Sequence, residues 1–388
     1  MKKTLLTAAL MAGFVGFGGM AQAETSVTLY GLVDGGISYQ RVKGTNPATG
    51  EDYRGTKTGF LSGGESDNRW GLRGTEDLGD GLQAVFVLEN GFDLGTGTTS
   101  QYNNRFFGRQ ATIGLQSNAW GRLDFGRQSN IAYKYLSDVI SPFGHDFSQA
   151  RSGATFSATD NVRFDNMIMY QTPTYAGFQF GLGYSFNNSG NQQFKLSGNS
   201  QPNSRAWTTG LRYTNGPIAA ALTYDQIKSA STFGDPADNG VNINTWNIGG
   251  SYDFNVVKLH VGFGQTRNGW LSPIQYATLG GQTYTDSGNA TGYYADSGLR
   301  VNSYTVGLSA PVGVNGEVMA SWGMADPRDG GVHTDVLGTH KQNIYSLGYT
   351  YALSKRTNLY AIGSYGTHVE FANDLNSTFV GAGIRHQF

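Results

Sequence analysis

Large apolar side chains recur at every second position through most of this chain. Period two is the signature of a strand whose two faces meet different surroundings. Phe178, Phe180, Leu182, Tyr184 and Phe186 alternate with Gln179, Gly181, Gly183 and Ser185. Val257, Leu259, Val261 and Phe263 alternate with Lys258, His260 and Gly262. The same pattern runs through residues 207–213, 318–324, 345–351 and 380–388, where only His386 interrupts the apolar parity near the end. These runs are about 9–11 residues long, which is the length of a tilted strand that crosses a bilayer. A soluble sandwich strand is nearer 5–6. Aromatic residues gather towards the ends of the apolar faces, as at two membrane interfaces. The other face carries Gly, Ser, Thr, Gln and Arg, which fill no dry core by themselves and are expected to face water. A sheet wetted by lipid outside and water inside must close, because an open edge in hydrocarbon leaves backbone groups unpaired.

Tight turns at Asp77–Gly81, Asn215–Pro217, Asp253–Asn255 and Leu353–Arg356 alternate with long polar connections at residues 41–65, 187–205, 269–298 and 327–341. Short and long connections alternate in this way in bacterial barrels. Pairing strands across them predicts an all-β fold, a 16-stranded antiparallel transmembrane β-barrel. A barrel of about 16–18 strands leaves an aqueous channel, whereas about 8 strands fill with their own side chains.

Composition agrees with this and narrows it. The 388 residues include 57 Gly, 22 Tyr and 22 Phe, and only 14% are charged, which does not describe a helical enzyme. The absence of Cys excludes a disulfide scaffold and thiolate zinc sites. The net charge of -1 gives no drive towards nucleic acid, and no nucleic-acid partner is expected. The start, Met1-Lys2-Lys3, an apolar run to Met20 and Ala21-Gln22-Ala23, reads as a signal peptide over residues 1–23, cleaved before Glu24. No later stretch has about 18 consecutive apolar residues. The barrel is therefore expected over residues 24–388.

Several segments carry a family resemblance: Val27–Gly31, Asn68–Leu82, Gly108–Leu115, Phe125–Gln128, Arg163–Tyr170 and Gly383–Phe388. In this order and spacing they resemble the general trimeric porins of Gram-negative outer membranes, the β-proteobacterial branch in particular. The resemblance implies an outer-membrane homotrimer, surrounded by lipopolysaccharide and other outer-membrane lipids, whose barrels admit ions and small hydrophilic solutes. It implies that the third long loop, roughly residues 129–162, folds back into the lumen. It also implies a ladder of wall arginines facing that loop, at Arg69, Arg109 and Arg163. Phe388 resembles the terminal aromatic residue that the outer-membrane assembly machinery reads.

Parity supports this unevenly. Arg69 and Arg73 lie opposite Trp70 and Leu72, so both are expected in the lumen. Arg163 and Asp165 oppose Phe164, Ile168 and Tyr170. A lipid-facing Arg at mid-membrane would cost about 2–4 kcal/mol. Arg109 shares its parity with Ala111, Ile113 and Leu115, so it needs a shift near the strand end or burial between subunits. Where family loops carry an acid in a Pro-Glu-Phe-Gly-Gly-like turn, this chain reads Ser141-Pro142-Phe143-Gly144-His145-Asp146. Asp138 and Asp146 remain as acidic candidates. The constriction is thus expected to involve Arg69, Arg73, Arg109, Arg163, Lys134, Asp138 and Asp146. Arg127 is a further wall candidate, and Arg151 and Asp160 are further loop charges. Their excess positive charge predicts a weak anion preference.

Other classes have less support. No H-E-x-x-H, G-x-S-x-G or carboxylate pair at catalytic spacing accompanies the six histidines, so neither an enzyme nor a cofactor is expected. His333 and His340 near Asp335 make a poor metal site. Asp93, Asp286 and Asp296 lie in expected loops without EF-hand spacing, and no metal is expected there. A sugar-specific channel would need aromatics leading into the lumen, whereas Tyr and Phe here mostly fall on the lipid parity. A surface-attachment role for the long loops remains open.

Overall fold

The alternation is realised as one antiparallel sheet closed on itself. In the computed structural model the described residues are 25–45, 52–100, 105–160, 162–195, 201–230, 241–271, 294–329 and 340–388. The expected leader, residues 1–23, lies outside them, as do Asp286, His333 and Asp335. The first strand, β1, is Ser26–Thr45. The second, β2, comes in two segments, Asp52–Ser62 and Arg69–Gly79. Both segments pair with β1, Ser62 opposite Gly35 and Arg69 opposite Leu32, so they are one barrel strand interrupted by an insertion. The others are β3 Leu82–Gly91, β4 Gln110–Ser117, β5 Gly121–Ser129, β6 Arg163–Gln171, β7 Phe178–Ser185, β8 Arg205–Asn215 and β9 Ile218–Lys228. They continue with β10 Asn242–Asp253, β11 Lys258–Trp270, β12 Tyr294–Val312, β13 Gly316–Asp329, β14 Gln342–Ala352, β15 Thr357–Thr367 and β16 Asn376–Gln387. Each strand pairs with the next, and β16 returns to β1 from Leu32–Gln387 to Lys43–Asn376, which closes the 16-stranded barrel. The seam ends in a reciprocal pair between Gly31 and Phe388, at 3.1 and 3.0 Å.

Side chains sort by parity as expected. Ile37, Ile113 and Leu347 point outward and are 72%, 65% and 61% exposed, the condition of residues meant for hydrocarbon. No described helix is long and apolar enough to cross a membrane. Three expected long connections are shorter than the sequence implied. β1 runs to Thr45 and β2 begins at Asp52, β12 begins at Tyr294, and β13 runs to Asp329. Beyond the bilayer both faces of a strand meet water, so the apolar alternation that marks strands inside it vanishes there.

The loop between β5 and β6, residues 130–162, folds into the barrel. It contains two short helices, α1 Ile131–Tyr135 and α2 Ser137–Ile140, and three single 3-10 turns. Asn130 caps α1 by accepting a hydrogen bond from Tyr133 N at 3.3 Å, and its amide also donates to Asp225 on β9 at 2.9 Å. The Ile131 N–H donates to the Thr208 hydroxyl on β8 at 2.7 Å. His260 on β11 donates from Nδ1 to the Val139 carbonyl at 3.0 Å. Gln149 donates to Ser364 on β15 and accepts from Ser377 on β16. The loop is therefore fastened to the wall from β8 round to β16.

This corrects one expectation about the polar face of the strands, because much of it is dry. Ile131, Leu136, Ile140, Phe156 and Phe164 form a fully buried cluster between loop and wall. Inward glycines make room for it. A Cβ on Gly249 would collide with the Ile140 side chain, and one on Gly307 with the Pro142 ring. Gly249→Val should therefore overpack the seam and destabilise the fold by about 1–3 kcal/mol. Lowered thermal unfolding in detergent, read by circular dichroism, together with noisier open-channel current, is the expected result.

Candidate functional site: the constriction inside the barrel

The constriction begins with the insertion in β2. Residues 63–68 leave the ladder with Gly63 in the left-handed region at φ 71°, a conformation that favours glycine. Their amides turn onto one acceptor, the Asp34 carboxylate of β1. Gly64 N–H donates to it at 3.2 Å, Glu65 N–H at 2.9 Å and Ser66 N–H at 2.7 Å. The Tyr360 hydroxyl donates a fourth bond at 2.6 Å, and Asp34 is fully buried. A carboxylate with four donors is well matched, because buried charge is tolerated only where it is hydrogen-bonded.

The insertion then receives the tip of the inward loop. Phe147 N–H donates to the Glu65 carbonyl at 2.7 Å, and the Ser148 hydroxyl to the Gly64 carbonyl at 3.3 Å. Phe147 and Ser148 both have positive φ, 66° and 50°, which is strained for non-glycine residues. The Phe147 ring offsets this by packing edge-on to Phe143 and Tyr360, at 5.5 and 6.1 Å between centroids.

The charged groups line up on either side of the gap. Arg69 is paired with Leu32 and Arg73 with Thr28, on the same inward face as Tyr30 and Asp34. Arg73 lies over the Tyr30 ring at 5.3 Å, and the Tyr30 hydroxyl donates to Glu89 at 2.9 Å. Arg109 stands one residue before β4, outside its alternation. Its guanidinium turns inward to Glu89 at 2.7 Å and Asp67 at 3.0 Å, and the residue is 3% exposed. Arg385 on β16 reaches Glu65 at 2.5 Å, and Asn358 donates to the other oxygen at 2.6 Å.

The parity argument for Arg163 and Asp165 fails, because Asn166 has φ 48° and the register slips between Gly126 and Gln128. Phe164 is the residue that points into the loop–wall cluster. Asp165 instead binds Arg105 and Arg127, each at 2.6 Å, and accepts from Gly190 N–H at 2.6 Å, tying the β3–β4 and β7–β8 connections to β5 and β6. Arg163 is buried beside the field of Arg109, Tyr133 and Asp67.

On the loop side, Asp138 and Asp146 do not ion-pair with wall arginines. Both flank His145, at 3.3 and 3.8 Å, and the Tyr133 ring lies 4.6 Å from the His145 ring. Burial opposes a charge on His145, but the bond to Asp138 and the charges of Asp146 and Asp138 outweigh it, so its pKa is raised. Asp138, despite burial, is held below the usual carboxylate range by His145. Asp146 is raised, mainly by burial, with Arg69 and Arg385 opposing. Lys134 turns towards the wall, donating to Gln128 at 2.8 Å, and burial lowers its pKa to about 8. Arg151 closes the loop on itself through Asp160 at 2.9 Å. The acids that meet Arg109 and Arg385 are Glu65, Asp67 and Glu89. Glu65 and Asp67 sit in a stretch that reads as turn or loop, and Glu89 in an apolar strand. Its even spacing from Val85 and Val87 was the only signal in the sequence. Among the described residues no group of His, Asp and Glu could hold a metal.

A water-filled barrel narrowed by a charged inward loop is the architecture of a diffusion channel, and the comparisons agree. The chain belongs to the Gram-negative porin family, whose model matches residues 6–368. It is 52% identical to an outer membrane porin protein of Bordetella pertussis over the whole of both chains. It is 32% identical to outer membrane porin protein 32 of Delftia acidovorans, again over both whole chains. Among solved structures it resembles an anion-selective porin from Comamonas acidovorans, with 27% identity and a TM-score of 0.68 over 94% of this chain and 100% of that one. The protein is thus an outer-membrane porin, a channel through the membrane.

Two outcomes test the site. Asp34→Ala should leave three buried N–H groups and the Tyr360 hydroxyl without an acceptor, costing about 1–3 kcal/mol. It should also loosen the loop tip, seen as more frequent closures in single-channel recordings. His145, with its raised pKa, contributes stability that is fully present below about pH 6.5, its ordinary value, and lost as pH rises through the higher folded value. Lowering pH from 8 to 6 should therefore add positive charge at the gap and shift the reversal potential towards anions. His145→Gln should flatten that shift.

Proposed function

We propose that this channel is a homotrimeric general diffusion pore with a weak preference for anions, set by the wall arginines against the inward loop. The carrying observation is that Arg69 and Arg73 face the lumen without an ion pair among the described residues, whereas Arg109 and Arg385 are neutralised by acids. The Debye length is about 8 Å at physiological salt, so guanidiniums on the wall of a constriction act on ions passing within that distance with little screening. Arg163, His145 and the half-exposed Asp67 adjust the balance, which keeps the preference weak. The printed description of the Comamonas acidovorans relative as anion-selective supports the same sign.

The trimer reading draws on the low wall of β3–β6, strands of 8–10 residues against 20 in β1. Their outward side offers Ile113, Phe125 and, from the neighbouring connection, Phe106. Outer-membrane lipid, lipopolysaccharide included, surrounds the rest of the outer wall.

The test is conductance of the purified, undenatured oligomer in planar bilayers under a salt gradient. Insertion should come in multiples of three equal steps, with an anion-selective reversal potential. Arg69→Ser with Arg73→Ser should move that potential towards cations at unchanged stability. A cation-selective wild type, or a variant with no shift, would remove these arginines from the ion path.

A further inference from the structure

We propose that the connection between β15 and β16 is an acid-released strap over the inward loop, with the stacked imidazoles of His340 and His368 as its catch. It rests on the packing of this connection and not on the ion preference, so the reversal-potential result leaves it standing. The first observation is where the connection lies. Residues 368–375 carry one 3-10 turn, Val369–Phe371, and fold inward at the mouth. Val369, Ala372 and Leu375 pack with Val42 of β1, Ile344 of β14 and Ala154 of the inward loop. Phe371 reaches past them to the end of β11, where its ring stands edge-on to Trp270 at 5.3 Å. Gln342, the first residue of β14 and 4% exposed, joins the two loops. Its amide donates to the Ala154 carbonyl at 2.5 Å and accepts from Glu370 N–H at 2.8 Å. Lifting the strap therefore also uncovers and loosens the inward loop at Ala154.

The second observation is strain. His368, Glu370, Phe371 and Asp374 have φ of 50°, 58°, 58° and 59°. Non-glycine residues hold this left-handed conformation only where their surroundings over-determine it. A strap kept in place against such strain needs little added repulsion to let go.

The third observation supplies that repulsion. The His340 and His368 rings lie 10° from parallel, with 5.3 Å between centroids. His340 N–H also donates to the Phe371 carbonyl at 3.1 Å, so His340 holds the strap by backbone and ring together. The Nδ1 of His368 is buried without a hydrogen-bond partner, and neither imidazole makes an ion pair among the described residues. Imidazoles ordinarily gain their charge near about pH 6.5. One charged ring is tolerated on a neutral one, whereas two charged rings repel. The surrounding charges do not relieve this. Lys341 and Arg328 share the Asp326 carboxylate, at 3.4 and 3.0 Å, and exceed it by one. Arg151 of the inward loop is held by Asp160. The ends of β11 and β12 bring Arg267, Arg300 and Asp296, and β1 brings Arg41 and Lys43 beside Val42. The strap itself adds Glu370 and Asp374, so acids do not outnumber cations among these described groups. The stacked state thus takes up a second proton less readily than the released one. Lowering pH favours release, by up to about tenfold per pH unit while that proton binds.

The experiment uses the intact oligomer in detergent and exploits the absence of native Cys. Ala372→Cys puts a thiol where the strap leaves 6% exposure, and Phe194→Cys puts a reference thiol where exposure is 92%. The rate of labelling by a water-soluble maleimide at position 372, divided by that at 194, cancels the effect of pH on thiol reactivity. From about pH 7.5 to about pH 5 this ratio should rise at least about tenfold. Closures in single-channel recordings should multiply over the same range. His340→Gln with His368→Gln should keep both near their neutral-pH values. His340→Lys, permanently charged, should move the rise to higher pH, because one proton then suffices. His145→Gln should leave the rise in place, which separates the strap from the titration in the constriction. A ratio that stays flat in the otherwise native chain, or a rise that survives in the double Gln variant, would overturn the proposal. Labelling that rises without more closures would overturn the link to the inward loop.

Discussion

The width of this channel depends on one buried carboxylate. Asp34 gathers three consecutive amides of the β2 insertion and the Tyr360 hydroxyl, and the insertion in turn offers two carbonyls to the loop tip. A loop lying free in a wide lumen would lose conformational entropy for no gain, since water already satisfies its backbone. Here the tip is caught at Glu65 and Gly64, the start at Asp225 and Thr208, and the middle at His260. Between those points an apolar seam supplies the driving force, and the polar bonds choose the position.

The same insertion links mechanics to electrostatics. Glu65 uses its carbonyl to hold Phe147 and its carboxylate to hold Arg385, while Asp67 and Glu89 share Arg109. The residues that position the loop therefore also decide which arginines keep their full charge towards the lumen. Across the gap His145 stands between Asp138 and Asp146, so the loop's acids answer first to a group belonging to the loop.

Most of the fold was legible in the sequence because lipid imposes a strict period of two, and the strands through Phe178–Ser185 or Tyr345–Tyr351 announce themselves. The inward loop between Ser129 and Arg163 was legible through the family resemblance and its own apolar content. Legibility failed wherever backbone irregularity breaks parity. Arg109 escapes its strand by one residue, the turn at Asn166 inverts the faces of Phe164 and Asp165, and the insertion at 63–68 resembles a surface loop. Charge pairing failed for a related reason. Glu65 meets Arg385 only because β1 closes the barrel against β16 and β2 together, a long-range fact that no local pattern records, whereas Asp67 and Glu89 meet Arg109 across neighbouring strands only because that residue turns inward just before β4. The extension of β1 and β2 past the membrane was invisible because polar residues there occupy both faces.

The glycines facing the lumen have an implication for redesign. They are the mould of which the loop is the cast: Gly249 and Gly307 are shaped to Ile140 and Pro142. Cutting the loop away to enlarge the bore would uncover greasy dimples that water wets poorly, beside the polar anchors that had held the missing segment. A wider conduit with a smooth lining would require refilling those dimples with polar side chains at the same time. Aperture and wall are in this sense a single inherited unit, and neither is free to drift without the other.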